Sequence, residues 1–301
     1  MLPCALAFAT PRKLPKVRSL DGRVVILDIA FAGASGKVSF ESTTLPVIDG
    51  LGERLAAWVD HHDHTQHARY SEDKRFVLAT KAEHGACPEM ITADLVERVG
   101  PVDTIVCHTD FDGLASAAKW MRGGVECYPG CDDDARAIDT RIGKPSSVGQ
   151  RFDRAVRARS RDKGLFGVIV RHLYEGLADT GLWQIIDEAA AELIPIERET
   201  RRAATDFREI SPDVVIVDIR RGYSKVDKTL LLLAGQERKP VSIVVDEHGV
   251  TVAAAFDSGY NFLKLLRLSG GMPTRVAIPH RRLRELLEVL GVDGQGQSSV
   301  L

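Results

Sequence analysis

The sequence predicts an α/β fold: a mostly parallel sheet flanked by helices, followed by a second, smaller α/β domain. Short runs of apolar and β-branched residues alternate with segments of helical spacing, and this alternation starts again after a long charged stretch. Alternation of strands and helices is typical of parallel sheets that have helices on both faces. The fold class therefore follows from hydrophobic periodicity alone.

In the first part of the chain, the apolar runs predict four strands, at 24–27, 57–59, 104–107 and 125–128. Helical spacing predicts helices over 90–99 and 114–121. From 147 to 205 the pattern is helical and highly charged, which indicates a connector. We therefore expect a first domain at 1–205.

The second domain is expected at 206–301. It contains predicted strands at 214–218, 241–245 and 251–255, and predicted helices at 228–234, 262–268 and 281–290. The Asp-x-x-Gly turn at 246–249 predicts an antiparallel pair. The tail after 290 is rich in Gly, Ser and Gln, which predicts disorder.

Composition excludes several classes of protein. A net charge of −2 over 301 residues argues against a protein coated in positive charge for long duplex DNA. Five cysteines without a CxxC pair indicate neither a disulfide framework nor a Cys-rich zinc site. The N-terminus is a poor signal peptide and no apolar run could span a bilayer, so we expect a cytoplasmic protein without a membrane partner.

Metal-type ligands follow three of the predicted strands. Asp28, Asp60 and His108 each lie within a residue of a strand end, and in parallel sheets such ends converge on one rim. In His108-x-Asp110-x-Asp112 the alternate residues can face one side, and Gly113 lets the chain turn into a helix. The alternative is a capped helix, with Asp112 as the cap.

The segment Asp60-His61-His62-Asp63-His64, with His67 close behind, is unusually dense in imidazole and carboxylate groups. An exposed polar loop is the alternative, and His64 and His67 could belong to such a loop even if His61 and His62 are ligands. Carboxylates and imidazoles together favour Mn²⁺ or Mg²⁺ over a structural zinc ion, which more typically recruits thiolates.

These residues resemble the DHH phosphoesterases, a family that includes RecJ-like exonucleases, oligoribonucleases, cyclic-dinucleotide phosphodiesterases and family II pyrophosphatases. The segment 105–117 looks like the first, RecJ-type motif, Asp28 like the second, Asp60-His61-His62 like the third and Asp139 like the fourth. Gly270-Gly271-Met272-Pro273 resembles the glycine-rich signature of the DHH-associated domain. One departure is that the first motif follows the second and third here, as in a circular permutation.

The resemblance implies a dinuclear site with two Mn²⁺ ions, or Mg²⁺ in their place. Asp28 would bridge the ions, Asp60 would orient an imidazole, and His62 would contact the substrate phosphate. The other implied roles are ligands to one ion (His108, Asp110), ligands to the second ion (His61, Asp112, Asp139) and substrate binding (Gly270, Gly271, Arg275).

The expected function is metal-dependent hydrolysis of phosphodiester bonds in short single-stranded oligonucleotides or in linear or cyclic dinucleotides, in a cleft between the domains. One alternative is a phosphatase or pyrophosphatase acting on a smaller substrate. Another is a non-catalytic, nucleotide-binding regulatory module, in which the permuted order reflects loss of chemistry. A third is an HD-type metal hydrolase that uses His61, His62 and Asp63, although such motifs normally lie on helices.

Overall fold

The computed structural model describes residues 2–33, 38–268 and 272–292. The chain forms two compact units, Met1–Glu192 and Leu193–Leu301. The unit boundary precedes the helix Ile194–Thr205, so the last part of the charged connector belongs to the second unit.

The first unit is built on an all-parallel sheet whose strands lie in the order β1-β5-β2-β3-β4. These strands are β1 (Ala5–Phe8), β2 (Val24–Leu27), β3 (Leu55–Asp60), β4 (Phe76–Leu78) and β5 (Thr104–Cys107). The helices are α1 (Leu45–Leu51), α2 (Ala93–Val99), α3 (Phe111–Met121), α4 (Cys131–Thr140), α5 (Ser147–Ala158), α6 (Lys163–Tyr174) and α7 (Thr180–Ala191).

Helices cover both faces of this sheet because successive side chains of a strand point to opposite faces. Val25 and Leu27 join a core cluster with residues of α3, α5 and α6. Val24 and Ile26 pack on the other side with Phe40 and with residues of α1. Burial on both faces explains why the strands read as continuous apolar runs.

The second unit contains a mixed sheet in the order β10-β9-β8-β7-β6, with only β7 and β8 parallel among its pairs of described strands. Its elements are α8 (Ile194–Thr205), β6 (Arg208–Ser211), β7 (Val214–Asp218), α9 (Lys228–Gln236), β8 (Val241–Asp246), β9 (Gly249–Ala254), α10 (Phe262–Leu265), β10 (Arg275–Ile278) and α11 (Leu283–Val289). The predicted fold class, a mostly parallel α/β domain with a smaller α/β unit, is confirmed.

The predicted strand at 125–128 is wrong. Gly123 and Gly124 adopt positive φ angles of 70° and 81°, which turn the chain away from an extended path. Val125 is 57% exposed, so the apolar run does not contribute a continuous buried strand. Two strands that the sequence did not indicate, β1 and β4, form the edges of the sheet instead. No helix among the described residues is both long and apolar enough to cross a membrane.

Candidate metal centre

Three neighbouring strands bring the predicted ligands to one rim of the first sheet. In the order β5-β2-β3, β5 is followed by His108 and β2 by Asp28, whereas β3 ends at Asp60 and is followed by His61 and His62. Because the strands are parallel, their carboxyl ends lie side by side at one edge. Asp28 is therefore at the centre, with His108 on one side and His61 on the other.

Asp28 lies at the middle of the cluster, and both its backbone conformation and the surroundings of its carboxylate are unusual. Its φ of 57° places it in the left-handed region, which few residues other than glycine adopt. The side chain is 1% exposed, and neither carboxylate oxygen makes a hydrogen bond within the described structure. Oδ1 lies 3.3 Å from Nε2 of His61, whereas Oδ2 lies 3.6 Å from Nδ1 of His108. The two oxygens therefore face two different groups of donors.

His61 is fully buried, and a hydrogen bond to a backbone carbonyl group fixes the orientation of its ring. Nδ1 lies 2.9 Å from the carbonyl oxygen of His84, and since a carbonyl can only accept, Nδ1 donates. Nε2 then points at carboxylates, 3.2 Å from Asp112 Oδ2 and 3.8 Å from Asp139 Oδ2. Metal-binding histidines commonly have this backing by a carbonyl group.

The charge balance around His61 favours a cation. Burial opposes the charged imidazolium, but the carboxylates of Asp112 and Asp28 outweigh it and raise the pKa of His61 to about 11. Burial, together with the charge of Asp28, raises the pKa of Asp112 well above its usual range. The carboxylates therefore require a positive charge between them, which a proton or a metal ion can supply.

The start of α3 places two acidic residues differently. Oδ1 of Asp110 accepts a hydrogen bond from the backbone N–H of Gly113 at 3.1 Å, so Asp110, and not Asp112, is the cap of the helix. Asp112 is 1% exposed; its Oδ1 accepts from the N–H of Cys87 at 3.0 Å, and its Oδ2 has no hydrogen-bond partner in the described structure. The cap therefore accounts for one oxygen of Asp110 and leaves Asp112 directed into the cluster.

His108 and Asp110 form the other side of the cluster. Nδ1 of His108 lies 2.7 Å from Oδ2 of Asp110. Burial opposes protonation of His108, but Asp110 and Asp28 outweigh it and raise the pKa of His108 to about 11. Burial likewise opposes ionisation of Asp110, yet His108 outweighs it and lowers the pKa of Asp110.

Asp139, in the last turn of α4, completes the cluster together with a residue that the sequence did not indicate. Nζ of Lys81 donates to Oδ2 of Asp139 at 2.6 Å. Burial lowers the pKa of Lys81, but Asp139 outweighs it, so the net shift is upward and the ammonium is charged. Lys81 lies just beyond β4, which was itself not predicted. Its position at a fourth strand end is the signal that could have identified it.

His62 is more accessible than His61. Its side chain is 30% exposed, and its Nδ1 donates to Oδ1 of the fully buried Asp60 at 2.9 Å. Since Nδ1 is the donor, Nε2 is free of that bond and can meet a ligand. His64 and His67 instead pack their rings against Phe31, with centroids 5.7 and 5.1 Å apart, respectively.

Three groups of donor atoms in this cluster could each hold a cation, because the atoms of each group lie within 4.8 Å of one another. Asp28 occurs in two of the groups and His61 in two. Four buried atoms of the ligand candidates have no hydrogen-bond partner in the described structure: Asp28 Oδ1, Asp28 Oδ2, His61 Nε2 and Asp112 Oδ2. The donors are carboxylate oxygens and imidazole nitrogens, which suit Mn²⁺ or Mg²⁺. The residues therefore fit the implied metal site. The groups are Asp28–His61–His62, Asp28–His108–Asp110 and His61–Asp112–Asp139.

The residues expected to bind substrate lie in the second unit. Gly270 and Gly271 fall outside the described residues. Arg275 begins β10, and its Nη1 donates to Oγ1 of Thr229 in α9 at 3.1 Å. In the first unit, residues 151–163 are rich in arginine, and two of these arginines have acidic partners: Arg151 binds Asp187 at 2.5 Å, and Arg159 binds Glu192 at 2.5 Å. This pairing favours a solvated helix surface over a nucleic-acid interface for that stretch.

No protein-family model matches the sequence, and a comparison with curated proteins finds no relative. Several chains of solved structures are similar, among them the following two. One is the pGpG-specific phosphodiesterase PggH from Vibrio cholerae, with 11% identity and a TM-score of 0.42, covering 92% of this chain and 99% of that one. The other is exonuclease RecJ bound to manganese, with 14% identity and a TM-score of 0.46, covering 91% of this chain and 75% of that one.

Proposed function

We propose that this protein is a metal-dependent phosphodiesterase that hydrolyses short oligonucleotides or linear or cyclic dinucleotides at a site for two divalent cations. Mn²⁺ is the expected ion and Mg²⁺ the alternative. The proposal rests on the position of Asp28. This carboxylate is buried, and its two oxygens, neither of which makes a hydrogen bond, face two separate groups of donor atoms. A carboxylate placed in this way is suited to bridging two cations.

The distances between donor atoms support the following assignment of ligands. His108 and Asp110 would hold one cation, and His61, Asp112 and Asp139 the other. Asp28 would be shared, since its two oxygens face His61 and His108. When bound, two such cations acidify a water molecule and stabilise the charge that develops on the phosphoryl oxygens. The carbonyl of His84 keeps Nε2 of His61 directed at the ligand position.

His62 is the residue proposed to contact the substrate phosphate. Asp60 holds its ring by the Nδ1 bond, and in the imidazolium form the free Nε2–H would donate to a phosphoryl oxygen. Asp60 is buried, so it acts by positioning His62. We further propose that the second domain, expected at 206–301, binds the substrate through Gly270, Gly271 and Arg275.

A catalytic role explains why the fold tolerates the unfavourable free energy of this site better than a purely structural role does. Several carboxylates and imidazoles are gathered out of water, and Asp28 adopts a disfavoured backbone conformation. Each of these features destabilises the metal-free fold, by about 1–3 kcal/mol for a strained residue and a similar amount for an unsatisfied buried group. Such costs are typical of active sites, where charged groups are held in place before the substrate arrives.

The test is hydrolysis by purified protein, with Mn²⁺ and with EDTA, of pGpG, a cyclic dinucleotide, a short single-stranded oligonucleotide and pyrophosphate. Metal-dependent cleavage of a nucleotide substrate, lost in Asp112→Asn, is the expected result. Cleavage of pyrophosphate alone would instead identify a pyrophosphatase. Tight binding of a nucleotide without turnover would identify a regulatory module and contradict the proposal.

A further inference from the structure

The two donor groups proposed to hold cations differ in their surroundings. In the group His61–Asp112–Asp139, Oδ2 of Asp139 already binds the ammonium of Lys81 at 2.6 Å. In the group Asp28–His108–Asp110, the acidic side chains face histidine, with Asp110 Oδ2 2.7 Å and Asp28 Oδ2 3.6 Å from Nδ1 of His108. One group therefore has a lysine ammonium bound to one of its carboxylates, whereas the carboxylates of the other group face an imidazole.

Lys81 is built into the cluster. Its side chain is 15% exposed and that of Asp139 is 17% exposed, so the ion pair is largely shielded from water and from screening by salt. An incoming cation must therefore either share Asp139 with the ammonium or displace it.

We infer that Lys81 competes with the metal for Asp139, so that the two cations bind in order and with unequal affinity. This inference rests on the proposed function, since it concerns the same site. The cation at Asp28–His108–Asp110 binds first and more tightly. The cation at His61–Asp112–Asp139 binds second, because it must displace an ammonium from one of its carboxylate ligands.

Electrostatics gives the expected size of the effect. A like unit charge a few ångströms from a bound divalent cation weakens the binding of that cation by about 1.4 kcal/mol or more, even at a high effective dielectric constant. That free energy corresponds to an affinity weaker by roughly tenfold. Removal of the ammonium should therefore tighten the second cation by about tenfold or more and leave the first cation nearly unchanged.

The test is isothermal titration calorimetry of the metal-free protein with Mn²⁺. We expect the wild type to bind two ions with separated affinities, and Lys81→Met to bind the weaker ion about tenfold more tightly. Lys81→Arg keeps the positive charge and should keep the weak affinity. Lys74→Met, which removes an exposed lysine of the same unit, should behave as the wild type. Melting in EDTA establishes that each variant is folded, and Lys81→Gln replaces Lys81→Met if the latter does not fold.

The outcomes separate the two proposals. A wild type that binds no Mn²⁺ overturns the proposed function and this inference together. A wild type that binds two ions, with unchanged affinities in Lys81→Met, overturns the competition by Lys81 and leaves the proposed function standing. Tightening in Lys81→Met and equal tightening in Lys81→Arg would also contradict the inference, because the charge would then not be the cause.

Discussion

Addition of Mn²⁺ to the metal-free protein should raise its melting temperature, and replacement of Asp28 by Asn should remove that increase. Four buried atoms of the cluster lack a hydrogen bond: both oxygens of Asp28, Nε2 of His61 and Oδ2 of Asp112. An unsatisfied buried group costs about 1–3 kcal/mol, more when it is charged. A cation that binds these atoms relieves that cost only in the folded state, so it stabilises the fold.

The expected shift follows from the binding equilibrium. At a free ion concentration 100 times the dissociation constant, one ion stabilises the fold by about 2.7 kcal/mol. The site lies in the unit Met1–Glu192, and for domains of this size about 1 kcal/mol shifts the melting temperature by about 2–4 °C. We therefore expect an increase of about 5–11 °C between EDTA and saturating Mn²⁺.

Asp28→Asn is a mild change for the backbone, because asparagine also tolerates the left-handed conformation that Asp28 adopts at φ 57°. The substitution removes the negative charge of Asp28, which the two donor groups share. The matched control is Asp63→Asn, an exposed acidic residue of the adjacent loop. Differential scanning calorimetry measures all three proteins. No shift in the wild type, or the same shift in Asp28→Asn, would refute the assignment of a cation to this cluster.

Other variants probe the remaining roles. Asp112→Asn should lower turnover by at least about 100-fold. Its melting temperature in EDTA should change little, because the amide oxygen can still accept the hydrogen bond from the backbone N–H of Cys87. Full activity would exclude Asp112 as a ligand. His62→Ala should lower kcat/KM by about tenfold to 100-fold. Asp60→Asn should lower kcat/KM by less, because the amide oxygen can still accept the hydrogen bond from Nδ1 of His62. A larger loss in Asp60→Asn than in His62→Ala would contradict the positioning role of Asp60. Gly113→Ala should destabilise the fold by about 1–3 kcal/mol, because a Cβ at this position would lie 2.8 Å from the backbone N of His108. The same clash should weaken Mn²⁺ binding in calorimetry. Unchanged stability would show that α3 can shift freely.

Much of the first unit could be predicted because its central strands are buried on both faces. Residues 24–27 and 104–107 were predicted with the bounds that the structure gives to β2 and β5. The edge strands β1 and β4 were missed. An edge strand pairs on one side only, and the mixed exposure of β1, where no residue is fully buried, leaves a weak hydrophobic pattern.

The ligand cluster could be predicted from local signals, whereas its electrostatic surroundings could not. Asp28, His61 and His108 were indicated because each follows a recognisable strand. Lys81 was not, because its strand was missed and because a single lysine in a loop carries no pattern. Its partner Asp139 lies far from it in sequence, on α4, so only the folded chain brings the two together. Contacts of this kind depend on tertiary packing and not on local spacing.

The ligand-bearing strands follow a different order in the sheet from their order along the chain. The motif at 105–117 follows the other two in sequence, yet its strand β5 lies next to β2, and β2 lies next to β3. Across the sheet, the ligands therefore stand in the order His108, Asp28, His61. Since each ligand is delivered by the end of its own strand, the site requires adjacent parallel strands and not a particular order of connections. A change in connectivity that preserves these two pairings preserves the distances on which cation binding depends.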